Sequence, residues 1–97
     1  MDEKYYIVAK FDLPEQHKAE MLAAVKTLAE ETRKEPGCDY YLFTQDQTNP
    51  QTYSFLECWK DEAAFLSHCQ TPHFKVFGEF AQGKRENVVL HKLKQII

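Results

Sequence analysis

The stretch Thr52-Tyr53-Ser54-Phe55-Leu56-Glu57-Cys58-Trp59-Lys60-Asp61-Glu62 decides the fold. Thr52 to Trp59 has the aromatic, apolar make-up of a strand, and Asp61 supplies a side-chain oxygen to cap a helix from Glu62 to about Gln70. Immediately upstream, Asp46-Gln47-Thr48-Asn49-Pro50-Gln51 is turn-forming and Cys38 to Gln45 reads as a strand, so the two pair as an antiparallel hairpin with a longer loop. Pro36-Gly37 stops a long helix whose apolar stripe is Met21, Leu22, Val25, Leu28 and Ala29. Asp12-Leu13-Pro14-Glu15 reads as its start, with Asp12 as the cap, and Tyr5 to Phe11 before it is a strand. Downstream, Thr71-Pro72 restarts a helical segment through Phe74, Val76, Phe77 and Phe80. Gly83 ends it, and Asn87 to Lys94 forms the last strand.

The order strand, helix, strand, strand, helix, strand on 97 residues predicts one α+β domain over residues 1–97, of ferredoxin-like βαββαβ form: a four-stranded antiparallel sheet with its helices on one face. Alternation places Phe55, Glu57 and Trp59 on one face and Ser54, Leu56 and Cys58 on the other; on the first strand Tyr5, Ile7, Ala9 and Phe11 alternate with Tyr6, Val8 and Lys10. Both faces carry apolar side chains. The face away from the helices therefore needs a cover, and a second copy of the chain supplies one, which predicts a homodimer through Tyr6, Val8, Leu56 and Cys58.

Composition narrows the function. Twelve Lys and Arg against fifteen Asp and Glu give a net charge of −3, spread along the chain without the basic stripe that nucleic acid requires. No apolar run is long enough for a membrane span, and Met1-Asp2-Glu3-Lys4 is not the cationic start of a signal peptide, so a cytoplasmic protein is expected. Cys38, Cys58 and Cys69 form no C-x-x-C pair and read as reduced thiols.

Glu57 points into an otherwise apolar layer and must be paired, protonated or functional, unless it lies at the rim beside a Lys or a backbone donor. Trp59 is either a core aromatic or a flat wall for a planar ligand. His73, just after Thr71-Pro72, can shuttle a proton between helix and sheet or serve as a plain hydrogen-bonding residue. His68 and His73 lack same-face metal spacing and a matching acidic ligand, so no metal site is expected; His68 reads as a helix-surface or half-buried residue, and His17 and His91 as isolated ones. Phe65, Phe74, Phe77 and Phe80 have the spacing of a core set.

The segments Glu35-Pro36-Gly37-Cys38, Glu57-Cys58-Trp59-Lys60-Asp61-Glu62-Ala63-Ala64 and His68-Cys69-Gln70-Thr71-Pro72-His73-Phe74-Lys75 together resemble the antibiotic biosynthesis monooxygenase family, and the Thr71-Pro72-His73-Phe74 run most resembles its quinol monooxygenase branch. The resemblance implies a dimeric α/β barrel built from two ferredoxin-like protomers. It also implies a cofactor-independent oxidation of a quinol or phenol, in which the bound, deprotonated aromatic gives an electron directly to O₂. Trp59, His73 and Glu57 would be the catalytic residues, with Phe55, Phe65, His68, Phe74 and Phe77 around the substrate. The haem-degrading branch is not expected, because Ile7, Val8 and Ala9 occupy the region where that branch places an Asn and residues 75–80 contain no His. The sugar-phosphate isomerase branch would want a cationic cluster that the pocket segments lack. The rival from another class is a non-catalytic small-molecule-binding or stress-response dimer on the same fold.

Overall fold

A computed structural model of the chain describes residues 3–97. Four strands, β1 (Tyr5–Asp12), β2 (Cys38–Gln45), β3 (Thr52–Trp59) and β4 (Glu86–Leu93), form one antiparallel sheet in the order β2-β3-β1-β4. Helix α1 (Lys18–Thr32) joins β1 to β2, and α2 (Glu62–His68) and α3 (Pro72–Ala81) join β3 to β4. This is the ferredoxin-like α+β fold with the helices on one face. Among the described residues no helix is long and apolar enough to cross a membrane.

The register explains which side chains meet. Ile7 stands opposite Glu57 and Ala9 opposite Phe55, while Tyr41 stands opposite Glu57 on the other side, so β2, β3 and β1 present one continuous face to the helices. Ile7, Phe11, Tyr41, Phe55 and Trp59 from that face pack with Met21, Val25 and Leu28 of α1, Phe65 of α2 and Phe77 of α3. Each such side chain withdrawn from water contributes about 1.5–3 kcal/mol. The opposite face carries Tyr6, Val8, Tyr40, Leu42, Leu56, Val89 and Leu93, paired by the same register and exposed or half-buried. Cys58 lies on this face but is already buried within the chain, its thiol donating to Asp39 Oδ2 at 3.6 Å.

Four sequence expectations shift. Asp12 does not cap α1: it remains in β1, where its carboxylate accepts from Thr52 Oγ1 and from Asn87 Nδ2, and a 3₁₀ turn at Glu15–His17 leads into the helix instead. Leu22 is 38% exposed, because the helix turns its buried stripe through Met21, Val25, Leu28, Ala29 and Thr32. Helix α2 ends at His68, two residues earlier than Gln70. His17 is not isolated, since its Nδ1 lies 2.9 Å from Glu20 Oε1 one helical turn on. The caps at Asp61 and Thr71 are as the sequence indicates: Asp61 accepts from Ala64 N at 2.8 Å and Thr71 from Phe74 N at 3.2 Å.

Candidate functional site

Between the helix face of the sheet and α3 lies a cavity of about 130 Å³, walled by Ala9, Tyr41, Phe55, Phe65, Phe74, Phe77, Val88 and Leu90, with Glu57 and Arg85 as its charged members. Strand alternation delivers Phe55 and Glu57 to it, and the capped starts of α2 and α3 set Phe65, Phe74 and Phe77 above them. Five of the residues singled out in the sequence thus converge on one space.

Glu57 is 5% exposed, and its Oε1 accepts from Trp59 Nε1 at 2.9 Å. Burial lifts its pKa to about 7; the negative charge of Glu35 adds to the rise, and the Trp59 hydrogen bond opposes it. A carboxyl with that value accepts or gives a proton near neutral pH. Trp59 itself is fully buried and does not line the cavity. It spends its only donor on Glu57, so its part is to hold the carboxylate in place.

Arg85 was not singled out in the sequence. Its half-buried guanidinium lies over the rings of Phe11, at 5.2 Å from the centroid, and Phe77, at 5.6 Å, and among the described residues it has no ion-pair partner. Burial lowers its pKa, yet a guanidinium stays cationic. The only sequence signal was a basic residue following the turn at Gly83, which many surface arginines share.

His68 and His73 lie just outside this space, the His68 ring packing on Trp59 and on the cavity walls Tyr41 and Phe74. Neither lines the cavity; both meet Glu35, whose Oε2 lies 2.7 Å from His68 Nδ1 and 2.7 Å from His73 Nε2. The expectation that no acidic residue matches these histidines is therefore overturned: the partner comes from the turn between α1 and β2. His68 is also not a helix-surface residue. It is 1% exposed, with its ring centroid 4.6 Å from that of Trp59, and burial lowers its pKa against the pull of Glu35. What brings Glu35 there is Gly37: a Cβ at that position would stand 2.4 Å from Ala64 Cβ, so only glycine lets the turn press against α2. The backbone bond from Lys60 N to Gly37 O, 2.9 Å, fastens the same contact.

Comparison with known proteins bears on what this arrangement serves. Residues 4–79 match the antibiotic biosynthesis monooxygenase family. The chain is 35% identical over 78 residues to the uncharacterized protein sll1783 of Synechocystis sp., matching 80% of this chain and 53% of that protein. It is 37% identical over 69 residues to the "Putative monooxygenase YcnE" of Bacillus subtilis, matching 71% of this chain and 70% of that one. The chain thus spans about half of the first relative's length. Among solved structures, a conserved protein from Methanosarcina mazei Go1 superposes with a TM-score of 0.93 at 28% identity, covering 97% of this chain and 94% of that one. A crystal structure of an antibiotic biosynthesis monooxygenase superposes with a TM-score of 0.89 at 26% identity, covering 96% and 99%. With a family match reaching from the first strand into the third helix, the chain belongs to the antibiotic biosynthesis monooxygenase family.

Proposed function

We propose that the protein is a monooxygenase for a quinol or phenol with a single aromatic ring, using O₂ and no redox cofactor. The observation that carries this reading is the apolar 130 Å³ cavity holding one buried carboxyl with a pKa lifted to about 7 and one guanidinium that has no ion-pair partner among the described residues. A cavity of about 150 Å³ accepts benzene, so the space favours one ring over a polycycle. Glu57 takes the phenolic proton, and Arg85 holds the phenolate that forms, a charge-assisted contact strengthened by the dry aromatic walls. The electron-rich phenolate then reduces O₂; one oxygen atom enters the ring, the other leaves as water, and the substrate supplies all four electrons, a quinol becoming a hydroxyquinone and a phenol a quinone. Trp59 positions Glu57, and Phe55, Phe65, Phe74 and Phe77 orient the ring.

The unit of action is a homodimer, with the apolar outer face of the sheet buried against its copy. Oxygen consumption with a panel of hydroquinones tests the chemistry. Turnover is expected in the wild type, with kcat/KM rising as pH passes about 7, and with losses on the order of 10²-fold in Glu57→Gln. No oxygen uptake with any member overturns the reading. Hydroquinones that raise the melting temperature without being consumed favour the non-catalytic binder instead.

A further inference from the structure

Glu35, His68 and His73 come from three separate elements, the α1–β2 turn, the last residue of α2 and the first turn of α3, yet their side chains converge on one point. Two ring nitrogens and one carboxylate oxygen all lie within 4.8 Å of one another. We propose that these three residues form a binding site for a divalent first-row transition metal ion of the zinc type, distinct from the aromatic cavity.

Two imidazoles and one carboxylate are a donor set that holds Zn²⁺ at about 2.0–2.2 Å per ligand, with a fourth position left to water. Both rings already direct a nitrogen at the same oxygen, at 2.7 Å each. An ion entering between them requires only that each neutral ring carry its proton on its other nitrogen and that the carboxylate draw back slightly. Glu35 Oε1 accepts no hydrogen bond among the described residues, so the carboxylate has a further oxygen to offer. The frame is rigid for reasons unrelated to its own hydrogen bonds. Gly37 locks the turn against Ala64, and Thr71 caps α3 while its Oγ1 donates to His68 O at 2.7 Å. The site is nearly dry but not sealed, with side-chain exposures of 1% for His68, 13% for Glu35 and 19% for His73. Glu35 also borders an open surface depression with Ser67 and Thr71, which gives an ion and its water a way in. Once bound, the ion ties the turn, α2 and α3 together behind Trp59.

The proposal does not depend on the oxidation proposed above, and its readouts are independent of activity. The full chain, stripped with a chelator and kept reduced, is titrated with Zn²⁺ by calorimetry and with Co²⁺ by absorption. Expected are one saturable ion per chain, a raised melting temperature with Zn²⁺, and a Co²⁺ spectrum of nitrogen and oxygen ligands. Glu35→Gln and His73→Ala should each weaken binding by more than about tenfold, with His73→Gln as a milder variant should the alanine fail to fold. His17→Ala, which removes the exposed His17–Glu20 pair, should leave binding unchanged. Absence of saturable binding, binding that survives both Glu35→Gln and a folded His73 variant, loss with His17→Ala, or a thiolate charge-transfer band from the cysteines would each overturn it.

Discussion

Burial moves Glu57 from an ordinary value of 4.5 to about 7, so the folded chain retains a proton that the unfolded chain releases throughout that interval. Stability therefore falls as pH rises from about 4.5 to 7, and the penalty is complete above the upper value. Glu57→Gln stays neutral and still offers Trp59 Nε1 an oxygen. It should be more stable than the wild type by about 2–3 kcal/mol at pH 8 and nearly equal to it at pH 4, as read from urea melts. The pairing of Glu57 with Trp59 was half visible in the sequence, because residues two apart on a strand share a face. That the indole N–H binds the carboxylate, and is withdrawn from any ligand, depends on rotamers that no spacing reveals. Glu35 was harder still, since 33 and 38 residues separate it from its two histidines. Only the fold closes those distances, and the same is true of Arg85 over Phe11.

At the scale of elements, the boundaries follow punctuation that can be read directly: Asp61 and Thr71-Pro72 cap, Gly83 stops with φ 78°, and the hairpin falls between Gln45 and Thr52. The start of α1 misleads because Asp12 has two stronger partners, Thr52 and Asn87, on neighbouring strands, and tertiary hydrogen bonds outbid a local cap. The α1–β2 turn is the element on which most depends. Gly37→Ala would place a methyl group 2.4 Å from Ala64 Cβ and force the turn off α2. A loss of about 1–3 kcal/mol is expected, with a downfield or upfield change in the His68 and His73 ring resonances showing that Glu35 has moved with the turn. A variant with unchanged stability and unchanged histidine signals would show that the turn has slack.

For the whole molecule, the outer sheet face sets the expectation. Leu42 on the edge strand β2 and Leu56 on β3 are register partners on it, the first 46% exposed. Replacing both with lysine should convert a dimer to monomers in sizing chromatography with light scattering while leaving the secondary-structure spectrum in place; a wild type that is monomeric at micromolar concentration would contradict the dimer. This face was legible in the sequence from the two-sided apolar pattern of β1 and β3, although Cys58 proves to be covered by its own chain.

The strand order β2-β3-β1-β4 leaves β4 at an edge, paired only with β1 and exposed along its whole length, yet Val88 and Leu90 of that strand wall the cavity. One side of the binding space thus hangs from a single ladder of hydrogen bonds. Amide hydrogen exchange in β4 should be faster than in β3 and should slow when a ring occupies the cavity. Peeling of this last strand alone would open the cavity from the sheet side, so a ring entering that way would need no hinged lid.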